Sequence, residues 1–217
     1  MIDRGKFITI EGVEGSGKTT QAALLSEYLR KEGLKVVETR EPGGTDTGEK
    51  IRQILLSPHA RLAPSAELLL FLAARAQQVR EVIMPALENG KWVICDRFSD
   101  ATIAYQGYGR GIDIETIRRI NDVATEGIKP DLTFLLDLDA ETGIKRALAS
   151  KKEFAGSRTG DRMENEASEF HERVERGYRE LAGREPGRIK VIPVTGSIED
   201  VHRTIVSLVE PFLVRLK

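Results

Sequence analysis

Cysteine is almost missing from this chain of 217 residues, Cys95 being its sole example. A lone thiol excludes a disulfide framework and a four-cysteine zinc site, and its place in Trp92-Val93-Ile94-Cys95 reads as buried strand. Basic excess is missing too. With 33 Lys and Arg against 34 Asp and Glu, the net charge of −1 offers nothing for wrapping nucleic acid, so any phosphate binding must be local. No apolar run approaches the length needed to cross a membrane. Neither a signal core nor an Arg/Ser-rich leader precedes the first strand, so a cytoplasmic protein is expected. His59, His171 and His202 are scattered without metal-ligand spacing. Internal repeats and low-complexity linkers are absent as well.

What is present is alternation. The length suits one compact domain, taken here as residues 1–217. Apolar, β-rich runs at Lys6–Glu11, Lys35–Thr39, Trp92–Asp96, Leu132–Asp137 and Lys190–Val194 are separated by segments of helical spacing. Leu24, Leu25, Tyr28 and Leu29 mark one helix, and Pro64 opens a long one that continues to Leu87 before Asn89-Gly90. The nearly all-apolar Leu132–Leu136 suits a parallel strand covered on both faces. Together these predict a three-layer α/β fold with a five-stranded parallel sheet and ligands at the carboxyl ends of the strands. The one break in composition, about 151–163, is charged and contains Gly156 and Gly160. That suits a short lid. The charged stretch from Glu164 to Arg179 reads as a helix with a solvated face.

Gly12-Val13-Glu14-Gly15-Ser16-Gly17-Lys18-Thr19 matches the P-loop pattern in full, between a strand and a helix. Glycines let backbone amides curl around phosphate oxygens at a positive helix end. Lys18 can reach the β- and γ-phosphates, and the Thr19 hydroxyl can ligate Mg2+. Trp92–Asp96 ends an apolar strand in a second carboxylate for the metal or its water shell, although aspartate is also a common turn former.

The flanking residues select among P-loop proteins. An Asn-Lys-x-Asp segment and an Asp-x-x-Gly switch, which a GTPase needs, follow none of the strands, and a nucleic-acid motor would need a basic track. Arginines sit near strand ends instead: Arg40, Arg75, Arg97, Arg158 and Arg162. Two phosphorylated ligands need such charge, and a forked guanidinium fits phosphate oxygens. A nucleoside-monophosphate kinase fits best, and the base remains open among dTMP, dUMP, CMP and AMP. A switch that uses ATP to regulate a partner needs only one nucleotide site.

Five ordered segments carry a resemblance: Glu11–Thr20, Arg40-Glu41-Pro42-Gly43-Gly44-Thr45, Leu70–Gln77, Asp96-Arg97-Phe98 and Ala104-Tyr105-Gln106-Gly107. Through them the chain resembles the thymidylate kinase family, in its bacterial form with a lid arginine. The resemblance implies transfer of the ATP γ-phosphoryl to dTMP, giving ADP and dTDP, with Mg2+ as cofactor and a homodimer as the assembly. It implies that Phe71 stacks on thymine, whereas residue pattern alone reads Phe71 as a core aromatic. Arg75 and Gln106 would read the pyrimidine's polar edge, with Arg75 also near the acceptor phosphate. Tyr105 would crowd the sugar 2′ position, although Tyr105-Gln106-Gly107 also reads as an ordinary helix end.

Arg97 would clamp the monophosphate, and Glu14 would face the 3′-hydroxyl or the magnesium shell. Arg40 and Thr102 complete the substrate set, and Arg146 would pack beside adenine or face solvent. Arg158 is the first choice for the lid arginine and Arg162 the second. Where the family commonly has serine ahead of the position of Thr102, this chain has Ala101 and loses a hydroxyl contact. The long helix from Pro64 to Glu88 could supply a dimer face.

Overall fold

The computed structural model describes residues 4–155 and 162–214. Five strands, β1 (Phe7–Gly12), β2 (Val36–Arg40), β3 (Trp92–Asp96), β4 (Leu132–Asp137) and β5 (Ile189–Pro193), form one sheet in the order β2-β3-β1-β4-β5. Every pairing is parallel, with Ile8 opposite Ile94 on one side and Leu132 on the other. Strands one, two and five lie one residue from where the apolar pattern places them.

All of β1 is buried, because both sheet faces are covered. Alternation then splits its side chains. Ile8 and Ile10 pack with Leu25 and Leu29 of α1 (Lys18–Lys31) and with Ile205 and Val209 of α9 (Ile198–Val214). Phe7 faces the opposite layer with Val79, Ile83, Leu87 and Phe98. Each such side chain contributes about 1.5–3 kcal/mol by leaving water.

The loop after β2 leads into α2 (Asp46–Leu56), where the Thr45 hydroxyl caps the first turn by accepting from Gly48 N at 2.9 Å. The helix opened by Pro64 is not uniform. It runs as α3 (Pro64–Gln78), a π-helical turn (Val79–Ile83) and α4 (Met84–Glu88). Met84 N–H bonds Val79 O five residues back, and Pro85, lacking an N–H, follows at once.

A second wide turn carries site residues. After α5 (Ser99–Thr102), Ile103–Gly109 is π-helical, so Tyr105 and Gln106 lie inside a helix rather than at its end. The chain continues through α6 (Ile114–Thr125) and α7 (Ala140–Ala155) to α8 (Ser168–Arg184). Residues 151–155 form the end of α7, and the next part of the expected lid, 156–161, lies outside the described residues. The charged stretch after residue 164 also has an apolar side: Phe170, Val174, Tyr178 and Leu181 of α8 are buried against Ile103 and Tyr105. Its charged residues occupy only the other face, because a helix with period 3.6 can hold a full core stripe beneath abundant charge.

Candidate active site

The strand order reverses direction at β1, which opens a crevice at the carboxyl ends of β1 and β3. The loop Gly12–Gly17 fills it. Gly15 has φ 67°, and a Cβ there would come within 2.1 Å of Gly143 O, so the loop packs on the first turn of α7 only because both residues are glycine. Gly17, at φ 93°, caps α1 without a side chain. The first-turn amides of α1 are thereby left for an anion. Val13 is buried against Leu138 and Ala140, and Ser16 is buried beside it in the loop.

Lys18 Nζ donates to Val13 O at 2.7 Å. Burial and the nearby Arg97 lower its pKa against Glu14 and Asp96, which pull it up. Thr19 Oγ1 donates to Asp96 Oδ2 at 2.6 Å, which brings the P-loop hydroxyl and the carboxylate at the end of β3 together. These are hard oxygen donors, as Mg2+ requires, and Mg2+ usually keeps waters and takes phosphate oxygens, so two protein oxygens fit it.

Arg97 organises the next group. Its backbone is left-handed, at φ 70°. Its guanidinium donates to Gly12 O and the Tyr178 hydroxyl from Nη1, and to Glu14 Oε1 at 2.7 Å and the Tyr105 hydroxyl from Nη2. Burial opposes ionisation of Glu14, but Arg97 and Lys18 overcome it and hold the carboxyl at about 2. Glu11, fully buried on β1, accepts from Phe98 N and the Tyr178 hydroxyl. Burial, with Asp100 nearby, pushes it up to about 8.

A cleft of about 550 Å3 joins these groups to a second wall. Glu14, Gly15, Gly17, Lys18, Thr19, Asp96, Arg97 and Arg146 line it together with Arg40, Phe71, Arg75, Thr102, Tyr105 and Gln106. Phe71 is half-buried in the cleft wall, outside the core clusters. Thr102 is buried with its hydroxyl unpartnered among the described residues, and Ala101 lines the cleft beside it. Arg40, half-exposed, pairs with Glu49 at 3.2 Å.

Arg75 is buried and ion-paired with Glu41 at 2.6 Å. It also donates to Asn121 Oδ1 and Phe98 O. Among the described residues, four of the five donors of the guanidinium are thus engaged, and one Nη1 hydrogen remains. Gln106 Nε2 donates to Glu67 Oε1 at 2.8 Å. Arg158 lies outside the described residues. Arg162 is not among the cleft-lining residues, with Nη1 on Glu67 Oε2 at 2.6 Å and Nε on Leu55 O.

Sequence reasoning missed Glu41, Glu67 and Tyr178. One local signal was available: Glu67, Phe71 and Arg75 are spaced by four residues on α3, which puts them on one strip of the helix. Nothing local marks Tyr178.

A sequence model described as thymidylate kinase matches residues 10–205. The chain belongs to the thymidylate kinase family. It is 51% identical over 211 residues to the thymidylate kinase of Pelotomaculum thermopropionicum, covering 97% of this chain and 95% of that one. It is 53% identical over 207 residues to that of a Synechococcus species, covering 95% and 96%. Among solved structures, thymidylate kinase from Ehrlichia chaffeensis superposes with a TM-score of 0.74 at 38% identity, over 95% of this chain and 99% of that one. The fold is accordingly that of P-loop NTPases and the protein is a phosphotransferase. No helix among the described residues is long and apolar enough to cross a membrane.

Proposed function

We propose that this cleft moves the γ-phosphoryl of ATP onto the phosphate oxygen of dTMP by in-line attack, releasing ADP and dTDP. The observation that carries the reading is the pairing of two walls in one cavity: P-loop, Lys18, Thr19 and Asp96 on one side, Phe71, Arg75 and Gln106 on the other. A volume of about 550 Å3 falls in the range of small-molecule sites. Membership of the thymidylate kinase family supplies the acceptor.

In this reading the amides of residues 15–19 and Lys18 hold the ATP phosphates, and Arg146, exposed on α7, flanks adenine. Thr19 and Asp96 hold Mg2+, which neutralises phosphate charge when bound. Phe71 stacks on the thymine ring, while Arg75 and Gln106 meet its polar edge. Tyr105 stands at the sugar 2′ position, Arg40 and Thr102 border the nucleotide, and Arg97 aligns the acceptor phosphate while holding Glu14 near the 3′-hydroxyl or the magnesium shell. Arg158 closes over the transferring phosphoryl. Arg162, bound to Glu67, anchors rather than reacts.

The chain works as a single domain, in the cytoplasm, and as a homodimer. The exposed Leu69 on α3 and Val123 on α6, two helices that pack together, support a dimer face. The test is acceptor-dependent ADP release with MgATP across dTMP, dUMP, UMP, CMP, AMP and GMP, with a no-acceptor control. Preference for dTMP is the expected result. Preference for another monophosphate overturns the base-pocket assignment, and release indifferent to every acceptor overturns the kinase reading.

A further inference from the structure

Glu67 is fully buried on α3, yet four hydrogen bonds from three side chains converge on its carboxylate. Arg110 donates to both oxygens, at 3.1 and 2.9 Å, and Arg162 donates to Oε2 at 2.6 Å. The third donor is the amide nitrogen of Gln106, 2.8 Å from Oε1. Burial alone would raise the Glu67 pKa, but these donors more than offset it and hold it below its ordinary value. An ionised carboxylate has no hydrogen to give, so it can only accept.

This decides which end of Gln106 meets the cleft. A primary amide offers either two donors or an acceptor, depending on a 180° flip about its last torsion. With Nε2 committed to Glu67, the carbonyl Oε1 is the end left for the cleft that Gln106 lines. Arg75 lines the same cleft and has, among the described residues, one N–H without a partner. The lining of one cleft therefore holds both an acceptor and a donor. Thymine offers the matching neighbours, the N3–H donor and the O4 acceptor. Cytosine reverses them, with an acceptor at N3 and an amino donor at C4.

We infer that Glu67, which does not line the cleft, is a positioning residue that sets base selectivity by locking the Gln106 amide with its carbonyl toward the base. It rests on the reading that Arg75 and Gln106 meet the pyrimidine edge. A site built to pair with a polar edge rejects a base that leaves buried groups unpaired. Release of the lock lets Gln106 rotate and removes that penalty for cytosine.

The experiment compares kcat/KM for dTMP and dCMP in wild type, Glu67→Gln and Glu166→Gln. A glutamine at 67 can donate to Gln106 Oε1 and so permit the flip. Glu166→Gln removes a carboxylate that pairs with Arg110 at 2.6 Å in the same network, and no bond joins it to Gln106. The expected result is a dTMP to dCMP ratio at least tenfold lower in Glu67→Gln, through KM more than kcat, with the Glu166→Gln ratio unchanged. An unchanged ratio in Glu67→Gln, or an equal fall in both variants, overturns the inference while leaving the dTMP reading intact. Wild type that fails to prefer dTMP over dCMP overturns the reading beneath it, and the inference with it.

Should Glu67→Gln fail to fold, NMR of 15N-labelled wild type decides the matter. The Gln106 side-chain NH2, assigned by its loss in Gln106→Met, should be protected from exchange both without and with dTMP. Protection that arises only with dTMP would mean that the nitrogen faces the base, which overturns the inference.

Discussion

The guanidinium of Arg97 bonds the P-loop carboxylate of Glu14 at 2.7 Å, across 83 residues of chain, and the same guanidinium reaches Gly12 O in the loop's own backbone. The end of β3 and the phosphate loop after β1 are thereby held as one unit. Glu14→Gln should loosen it. Because the folded pKa of Glu14, about 2, lies below its ordinary 4.5, its ionised form stabilises the fold above pH 4.5 and that contribution disappears as pH falls toward 2. The shift corresponds to about 3 kcal/mol. Urea unfolding from pH 5 to 2 should show wild type losing stability more steeply than Glu14→Gln.

Glu11 predicts the opposite slope at higher pH. Its folded pKa of about 8 exceeds the ordinary 4.5, so between these values the native state binds more proton than the unfolded chain. Stability from this group is present below pH 4.5 and is lost as pH rises toward 8. Glu11→Gln should flatten that decline. Equal slopes for variant and wild type between pH 5 and 8 would contradict the assignment.

Thr19→Val removes the hydroxyl that bonds Asp96 while keeping nearly the same shape. The expected outcome is a fall in kcat of about 100-fold at saturating Mg2+, equivalent to about 3 kcal/mol of charge stabilisation. Turnover in wild type should cease on chelation with EDTA and return with added Mg2+.

Glu41→Ala would leave the Arg75 guanidinium buried without its carboxylate. Breaking a buried pair from one side costs about 3–5 kcal/mol, so chemical denaturation should register a loss of that size. The KM for dTMP should rise as well, since Arg75 would lose the partner that fixes it in the cleft wall.

Arg158→Ala should lower kcat by about 1,000-fold while changing the dissociation constant of dTMP little, because a lid arginine acts on charge that develops in the transition state. Arg162→Ala should instead reduce stability, through loss of its bond to Glu67. Single-turnover kinetics and isothermal titration separate the two effects.

Several elements were legible from neighbouring residues alone. The apolar run of β4 announced a strand covered on both faces, and the spacing of Leu25 and Leu29 announced the buried stripe of α1. The P-loop stood out because Gly15 and Gly17 occupy backbone conformations that other residues rarely adopt. Phe71 was ambiguous, since an aromatic among leucines satisfies a core and a cleft wall equally well. The π-helical turn under Tyr105 and Gln106 left no periodic trace, as one wide turn is too short to shift an apolar pattern.

Sequence by itself determined the β–α alternation, the phosphate loop and the family, because these depend on periodicity, backbone freedom and ordered local motifs. Only the tertiary structure decided that Arg75 is tied to Glu41, that Glu67 holds both Gln106 and Arg162, and that Arg97 reaches Glu14. Those partners lie 34 to 95 residues apart. Charge is common along the chain, so no local pattern selects one partner among many. Packing does, by burying a few of these groups together where each must find a hydrogen bond.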